Sequence, residues 1–215
     1  LQTRSGKRSG QAAVKIAVDM VKEGIITRKE AIMRVTAEDL RALLYKRLKS
    51  PESAVPIAQG LVAAPGAAVG RVVFNPAEAV RMAKKNEKVI LVRPETSPDD
   101  IQGIAAADAV LTSRGGLTSH AAIVTRAMGK PCVCGAEEVK IDLEHGFLEA
   151  RGQIVKKGEE VTLDGNTGNL YLGSLPLIEV EVSVELGELL SWADKVIRLG
   201  VLANADTADI IAKAM

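Results

Sequence analysis

Apolar residues recur at helical spacing near the start of the chain and, past residue 60, in short runs separated by caps and turns. In "QAAVKIAVDMVKEG" Val14, Ala17, Val18 and Val21 fall on one face, and Gly24 supplies a stop. Thr27 with Glu30 three residues on is a capping box for a second helix, and Thr36 with Asp39 opens a third in the same way. These helices read as a connector. "KSPESAVPIAQG", residues 49–60, is a Pro/Ser/Gly boundary beyond which the period changes.

From residue 61 to about 173 strands alternate with helices. "AVGRVVF", "KVILV" and "DAVLT" read as strands, the first two separated by a helix from Pro76 to Lys84. Ser97, Pro98 and Asp100 open a further helix with a cap, a first-turn proline and a favourable charge. "SRGGLTSH" then leads into a helix that stops at Gly129, followed by "PCVCG", "FLEA" and the hairpin "VTLDGNTGNLYLG", turned at Asp164–Gly168. The pattern predicts one α/β domain, with a second connector from Ser174 onward that ends in a strand and part of a helix. A strand with no sheet of its own suggests that the sequence is a piece of a longer chain.

Composition narrows the partners. Lys and Arg number 28 against 27 Asp and Glu, a formal charge of +1 that offers no field for nucleic acid or a membrane surface. The longest apolar run, Leu61 to Val69, is about half of what a spanning helix needs and contains Pro65. "LQTRSGKRSGQ" has no apolar segment of a secretory leader, and the two cysteines, Cys132 and Cys134, form no disulfide framework. A reducing cytoplasm is the expected compartment.

The chemistry concentrates at Gly115-Gly116-Leu117-Thr118-Ser119-His120. Paired glycines let backbone N–H groups turn toward a ligand, and a helix start adds free N–H groups and partial positive charge, a combination that binds phosphate. The same field disfavours imidazolium, and a neutral ring nitrogen is a competent nucleophile. Three readings of these residues stand: a histidine that is itself phosphorylated, a loop that holds an anion without covalent chemistry, or a capping and packing histidine. Thr118 reads as a candidate N-cap. Arg93 and Arg114 each follow a strand at the edge where this loop emerges, and their guanidinium groups suit a phosphoryl group. His145 falls in a polar turn, Cys132 and Cys134 point to one side of a strand and make a poor metal site, and Asp99 and Asp100 are first-turn charges. No metal ligands are expected.

"GGLTSHAAIVTRAMGKPCV" closely resembles the phosphohistidine signature of the phosphoenolpyruvate-utilising enzymes. "TSHAA" followed by "GKPCV" is most similar to the branch that passes a phosphoryl group of ATP to phosphate, and less so to the synthase branch that uses water. "GLVAAPGAAVGRVVF" and "LVRPETSPDDI" resemble the family's swivelling central domain, "LQTRSGKRSGQAAVKIAVDMVKEGIIT" the end of its ATP-grasp domain, and "VLANADT" the first strand of its barrel. The resemblance implies a compact swivelling phosphohistidine domain of β/β/α type at 58–174 between helical linkers. Residues 1–57 would be the end of the nucleotide-binding region with its linker, and 175–215 the second linker with the start of the barrel that binds phosphoenolpyruvate and pyruvate.

By position it makes His120 the phosphorylated residue, Gly115, Gly116, Thr118 and Ser119 its loop, Thr118 a regulatory site, and Gln2 and Arg4 part of the ATP site. The implied reaction is ATP + phosphate + pyruvate giving AMP + diphosphate + phosphoenolpyruvate. His120 would carry the phosphoryl group between ATP-grasp and barrel domains of the same chain, in a homodimeric enzyme whose Mg²⁺ ligands lie elsewhere. This sequence alone is not expected to run the whole reaction.

Overall fold

A computed structural model describes residues 8–179, 183–198 and 200. In chain order it contains α1 (Gly10–Lys22), α2 (Arg28–Arg34), α3 (Ala37–Leu44), β1 (Arg47–Leu48), β2 (Ala58–Gln59), β3 (Leu61–Ala64), β4 (Ala67–Val73), α4 (Pro76–Ala83), β5 (Val89–Arg93), α5 (Ile101–Ala106) and β6 (Ala109–Thr112). After these come α6 (His120–Met128), β7 (Cys132–Cys134), β8 (Lys140–Asp142), β9 (Phe147–Ala150), β10 (Gln153–Lys156), β11 (Glu160–Asp164), β12 (Asn169–Leu172), β13 (Leu177–Ile178) and α7 (Val184–Asp194). The chain divides into two compact units, residues 44–181 and the segments on either side.

The larger unit is built on an eight-stranded sheet of order β2-β12-β11-β4-β5-β6-β7-β3. Its centre, β4 to β7, is parallel, and the flanking pairs are antiparallel. Parallel strands are buried on both faces, and β5 illustrates the consequence. Ile90 and Val92 enter one core with Leu111, Val133, Leu148 and Val155, while Val89 and Leu91 enter another with Ala79, Ile104, Ala121 and Ala122. The first core is roofed by a second sheet, β10-β9-β8, and the second by helices α4, α5 and α6. This is the β/β/α layering implied by the resemblance. Ile90 and Leu91 are fully buried, and each such side chain contributes about 1.5–3 kcal/mol relative to exposure.

The smaller unit shows why the N-terminal segment is helical. Ser9 caps α1 by accepting the Ala12 amide at 3.2 Å, and the Thr27–Glu30 capping box forms as predicted, with the Thr27 amide 2.8 Å from Glu30 Oε2. Val14, Val18 and Ala31 pack with Leu186, Leu189 and Trp192 of α7, and the Arg28 guanidinium lies over the Trp192 ring. The two segments read from the sequence as separate connectors therefore share one core. The expected strand "VLANADT" falls outside the described residues, as do Gln2 and Arg4. Among the described residues no helix is long and apolar enough to cross a membrane.

Candidate functional site

The parallel pairing of β5 with β6 sets Arg93 opposite Thr112, so the loops that follow the two strands leave the same sheet edge. Backbone bonds keep them side by side: the Ser113 amide donates to Arg93 O at 3.2 Å and the Arg114 amide to Pro94 O at 2.9 Å. One loop carries Thr96 and the other His120. The Thr96 Oγ1 to His120 Nδ1 distance is 3.1 Å. His120 is the first residue of α6 and is half-buried.

The His120 loop is held from below. Gly115 has φ of 93°, a region that L side chains rarely enter, and a Cβ there would lie 3.0 Å from that of Ser119. Gly135, just past β7, has φ of 62°, and its backbone passes so near the loop that a Cβ would stand 2.7 Å from Gly115 O. Thr112 Oγ1 donates to Arg114 O at 2.7 Å, and the Ser119 amide closes a turn onto Gly116 O at 3.0 Å. Gly116 itself faces open space.

The cap is Ser119, not Thr118. The turn closed on Gly116 brings the chain into the helix one residue later than the sequence suggested. Ser119, with φ −66° and ψ 160°, accepts the Ala122 amide at 3.4 Å, and Thr118 is left exposed on the turn. Ser119 Oγ also donates to Cys134 Sγ at 3.6 Å. Among the described residues the amides of Thr118, His120 and Ala121 have no acceptor. These free donors lie at the positive end of α6, the arrangement that binds anions.

A hollow of about 260 Å³ opens beside the ring, lined by Glu95, Thr96, Thr112, Arg114, Gly115, Ser119 and Ala121 as well as His120. Arg114 therefore lies where the sequence suggested. Arg93 does not line the hollow: its Nη1 donates to Phe74 O at 3.2 Å, and its Nε faces Asp100 at 3.7 Å. Asp100 is buried and accepts the Ser97 amide at 2.9 Å, so Arg93 and Asp100 brace the start of the neighbouring helix.

Cys132 and Cys134 are buried in the helix-side core with their sulfurs 3.5 Å apart. The hydrogen bond between them, followed by burial, pushes Cys132 up. That bond, supported by Thr112 and Ser119, holds Cys134 down as the more acidic of the two. His145 lies on the exposed β8–β9 turn, 2.9 Å from Asp142 Oδ2, and its hydrogen bonds keep the Asp142 carboxyl below its usual range. Among the described residues no three His, Cys, Asp or Glu side chains converge as a metal site. The described residues therefore form no site that fits Mg²⁺.

Thr96 and Glu95 are the site residues that sequence reasoning missed. "ETSPDDI" reads locally as a helix cap, and only the adjacency of β5 and β6 brings it to His120.

Residues 85–168 match the mobile domain of the PEP-utilising enzymes. Over 207 residues the chain is 46% identical to pyruvate, phosphate dikinase of Rhizobium meliloti, covering 96% of this chain and 23% of that protein. It is also 46% identical over 216 residues to pyruvate, phosphate dikinase of Entamoeba histolytica, covering 100% of this chain and 24% of the relative. A third relative, pyruvate, phosphate dikinase 1, chloroplastic, of Arabidopsis thaliana, is 46% identical over 211 residues, which are 97% of this chain and 22% of that protein. The chain thus spans about a quarter of the length of these relatives. The glycine-turned loop that presents His120 at a helix start lies within the residues this family model matches, and with relatives 46% identical over nearly the whole chain, the chain belongs to the phosphoenolpyruvate-utilising enzymes.

Proposed function

We propose that this chain is the phosphocarrier part of a pyruvate, phosphate dikinase, with His120 as the residue that takes and gives the phosphoryl group. The observation that carries this reading is the 3.1 Å approach of Thr96 Oγ1 to Nδ1. With the Nδ1 proton donated to that hydroxyl, the lone pair of the neutral ring lies on Nε2. Nε2 attacks the β-phosphorus of ATP, an N–P bond forms, the P–O bond to AMP breaks, and the Nδ1 proton stays in place. Phosphate then takes the terminal phosphoryl group and leaves as diphosphate, so that one phosphoryl group remains on Nε2. In the second half-reaction the enolate oxygen of pyruvate attacks the same phosphorus and the N–P bond breaks.

The free amides of the loop and the guanidinium of Arg114 stabilise the charge that arrives with the phosphoryl group. Arg93, engaged with Phe74 and Asp100, is assigned a bracing role.

The rest of the reading concerns the longer enzyme. Residues 58–174 are the swivelling domain, 1–57 and 175–215 its tethers, and a carrier tied at both ends alternates between an ATP-grasp domain and a barrel that binds pyruvate. ATP, phosphate and pyruvate are the substrates, Mg²⁺ is held by other parts of a homodimeric enzyme, Gln2 and Arg4 belong to the nucleotide site, and the compartment is cytoplasmic. The dikinase names of the relatives favour phosphate over water as second acceptor.

The test is His120→Asn in the full-length enzyme, which keeps the polar shape and removes the nucleophilic nitrogen. Both partial reactions, pyruvate/phosphoenolpyruvate exchange and phosphate-dependent cleavage of ATP, are expected to be lost in the overall cycle. A variant that still exchanges pyruvate with phosphoenolpyruvate refutes the carrier.

A further inference from the structure

α6 reaches back to hold the loop from which it starts. Arg126 lies six residues beyond His120, less than two turns and about 9 Å along the axis at 1.5 Å per residue, and helical side chains lean toward the N-terminus. Its guanidinium arrives beside the loop and donates twice: Nε to Ala63 O of β3 at 2.8 Å, and Nη2 to Leu117 O. One rigid fork thus ties the loop to a strand remote in sequence. A lysine ammonium, a point donor on a flexible stem, cannot reproduce that geometry.

The Leu117 carbonyl is half of a peptide whose other half is the Thr118 amide. In a trans peptide the two point in opposite directions, so fixing the carbonyl aims the N–H away from Arg126. Among the described residues that N–H has no acceptor, and the same holds for the amides of His120 and Ala121 beside it.

We propose that Arg126 is a positioning residue for phosphoryl transfer. By holding the Leu117–Thr118 peptide it presets the loop's N–H donors before the phosphoryl group reaches His120, and it touches no reacting atom. The inference rests on the carrier reading of His120 and adds the residue that shapes the anion site around it. Because Arg126 acts through the loop, it serves both half-reactions alike.

The test uses the full-length enzyme and follows formation of acid-labile phosphohistidine from phosphoenolpyruvate and from ATP in single turnovers. Arg126→Ala is expected to slow both by about tenfold to a hundredfold, the scale of a small misplacement at a reacting centre, with KM for phosphoenolpyruvate unchanged. Arg126→Lys is expected to recover little of the loss, whereas free guanidinium ion restores part of the rate to Arg126→Ala. A wild-type rate in either variant, or a loss that guanidinium does not relieve, overturns the positioning role. Absence of phosphohistidine in the wild type, as in His120→Asn, would instead bring down the carrier reading and this inference with it.

Discussion

The Thr96 hydroxyl oxygen stands 3.1 Å from Nδ1 of His120, joining two residues whose loops follow neighbouring parallel strands. A valine in place of Thr96 keeps the β-branched shape and removes the only side-chain partner of the ring among the described residues. A neutral hydrogen bond of this kind is worth about 0.5–1.5 kcal/mol. Lost from the orientation of the nucleophile, it slows transfer by up to about tenfold. Thr96→Ser, which keeps the hydroxyl, stays near the wild-type rate. Single-turnover phosphorylation of the full-length enzyme measures both, and a Thr96→Val variant as fast as the wild type would leave the tautomer unassigned.

Gly115 and Gly116 look equivalent in the sequence and differ in the fold. A side chain at Gly115 meets both a φ of 93° and a Cβ contact of 3.0 Å with Ser119, whereas Gly116 has nothing within 4 Å. Gly115→Ala is expected to cost about 1–3 kcal/mol, the scale of backbone strain at such a site, and to displace the helix cap as Ser119 gives way. Gly116→Ala is expected within about 0.5 kcal/mol of the parent, as for a surface change. Thermal denaturation of the two variants separates the positions, and equal melting temperatures would show that the loop relaxes around the added methyl.

Features set by neighbours in sequence were legible, and features set by register were not. The Thr27–Glu30 box and the strand in "KVILV" follow from local chemistry and from period, and both formed as read. His120 at a helix start was legible for the same reason. The partnership with Thr96 depends on Arg93 standing opposite Thr112 across two strands, and no local pattern encodes that pairing. Trp192 is a further case: it closes a core with Val14 and Val18 from the far end of the chain, so neither segment alone reveals that it has a partner. The cap missed by one residue because the turn from Gly116 to Ser119 is fixed by a backbone bond, and threonine and serine are both acceptable caps.

That one-residue shift sharpens what Thr118 can do. With Ser119 as the cap, Thr118 is exposed and has no structural duty in the helix, so a change there need not disturb folding. Its amide remains one of the loop's free donors, and its side chain stands two residues from His120. A carboxylate at this position opposes the incoming phosphoryl group. At ~7 Å, roughly two extended residues, two unit charges repel by about 0.6 kcal/mol in water and about 2.4 kcal/mol at an effective dielectric of about 20. Transfer to His120 in Thr118→Asp is therefore expected to fall by about threefold to sixtyfold, while the melting temperature stays at the parent value. A phosphate on Thr118, with about −1.5 to −2 charges and three acceptor oxygens, would act more strongly by competing for the same N–H groups. Thr118→Ser adds no charge and keeps its activity. Salt separates repulsion from misfolding: raising the ionic strength shrinks the deficit of Thr118→Asp if charge is the cause and leaves it unchanged if the loop has been rebuilt. Near-normal turnover of the aspartate variant at low salt would remove Thr118 as an electrostatic switch.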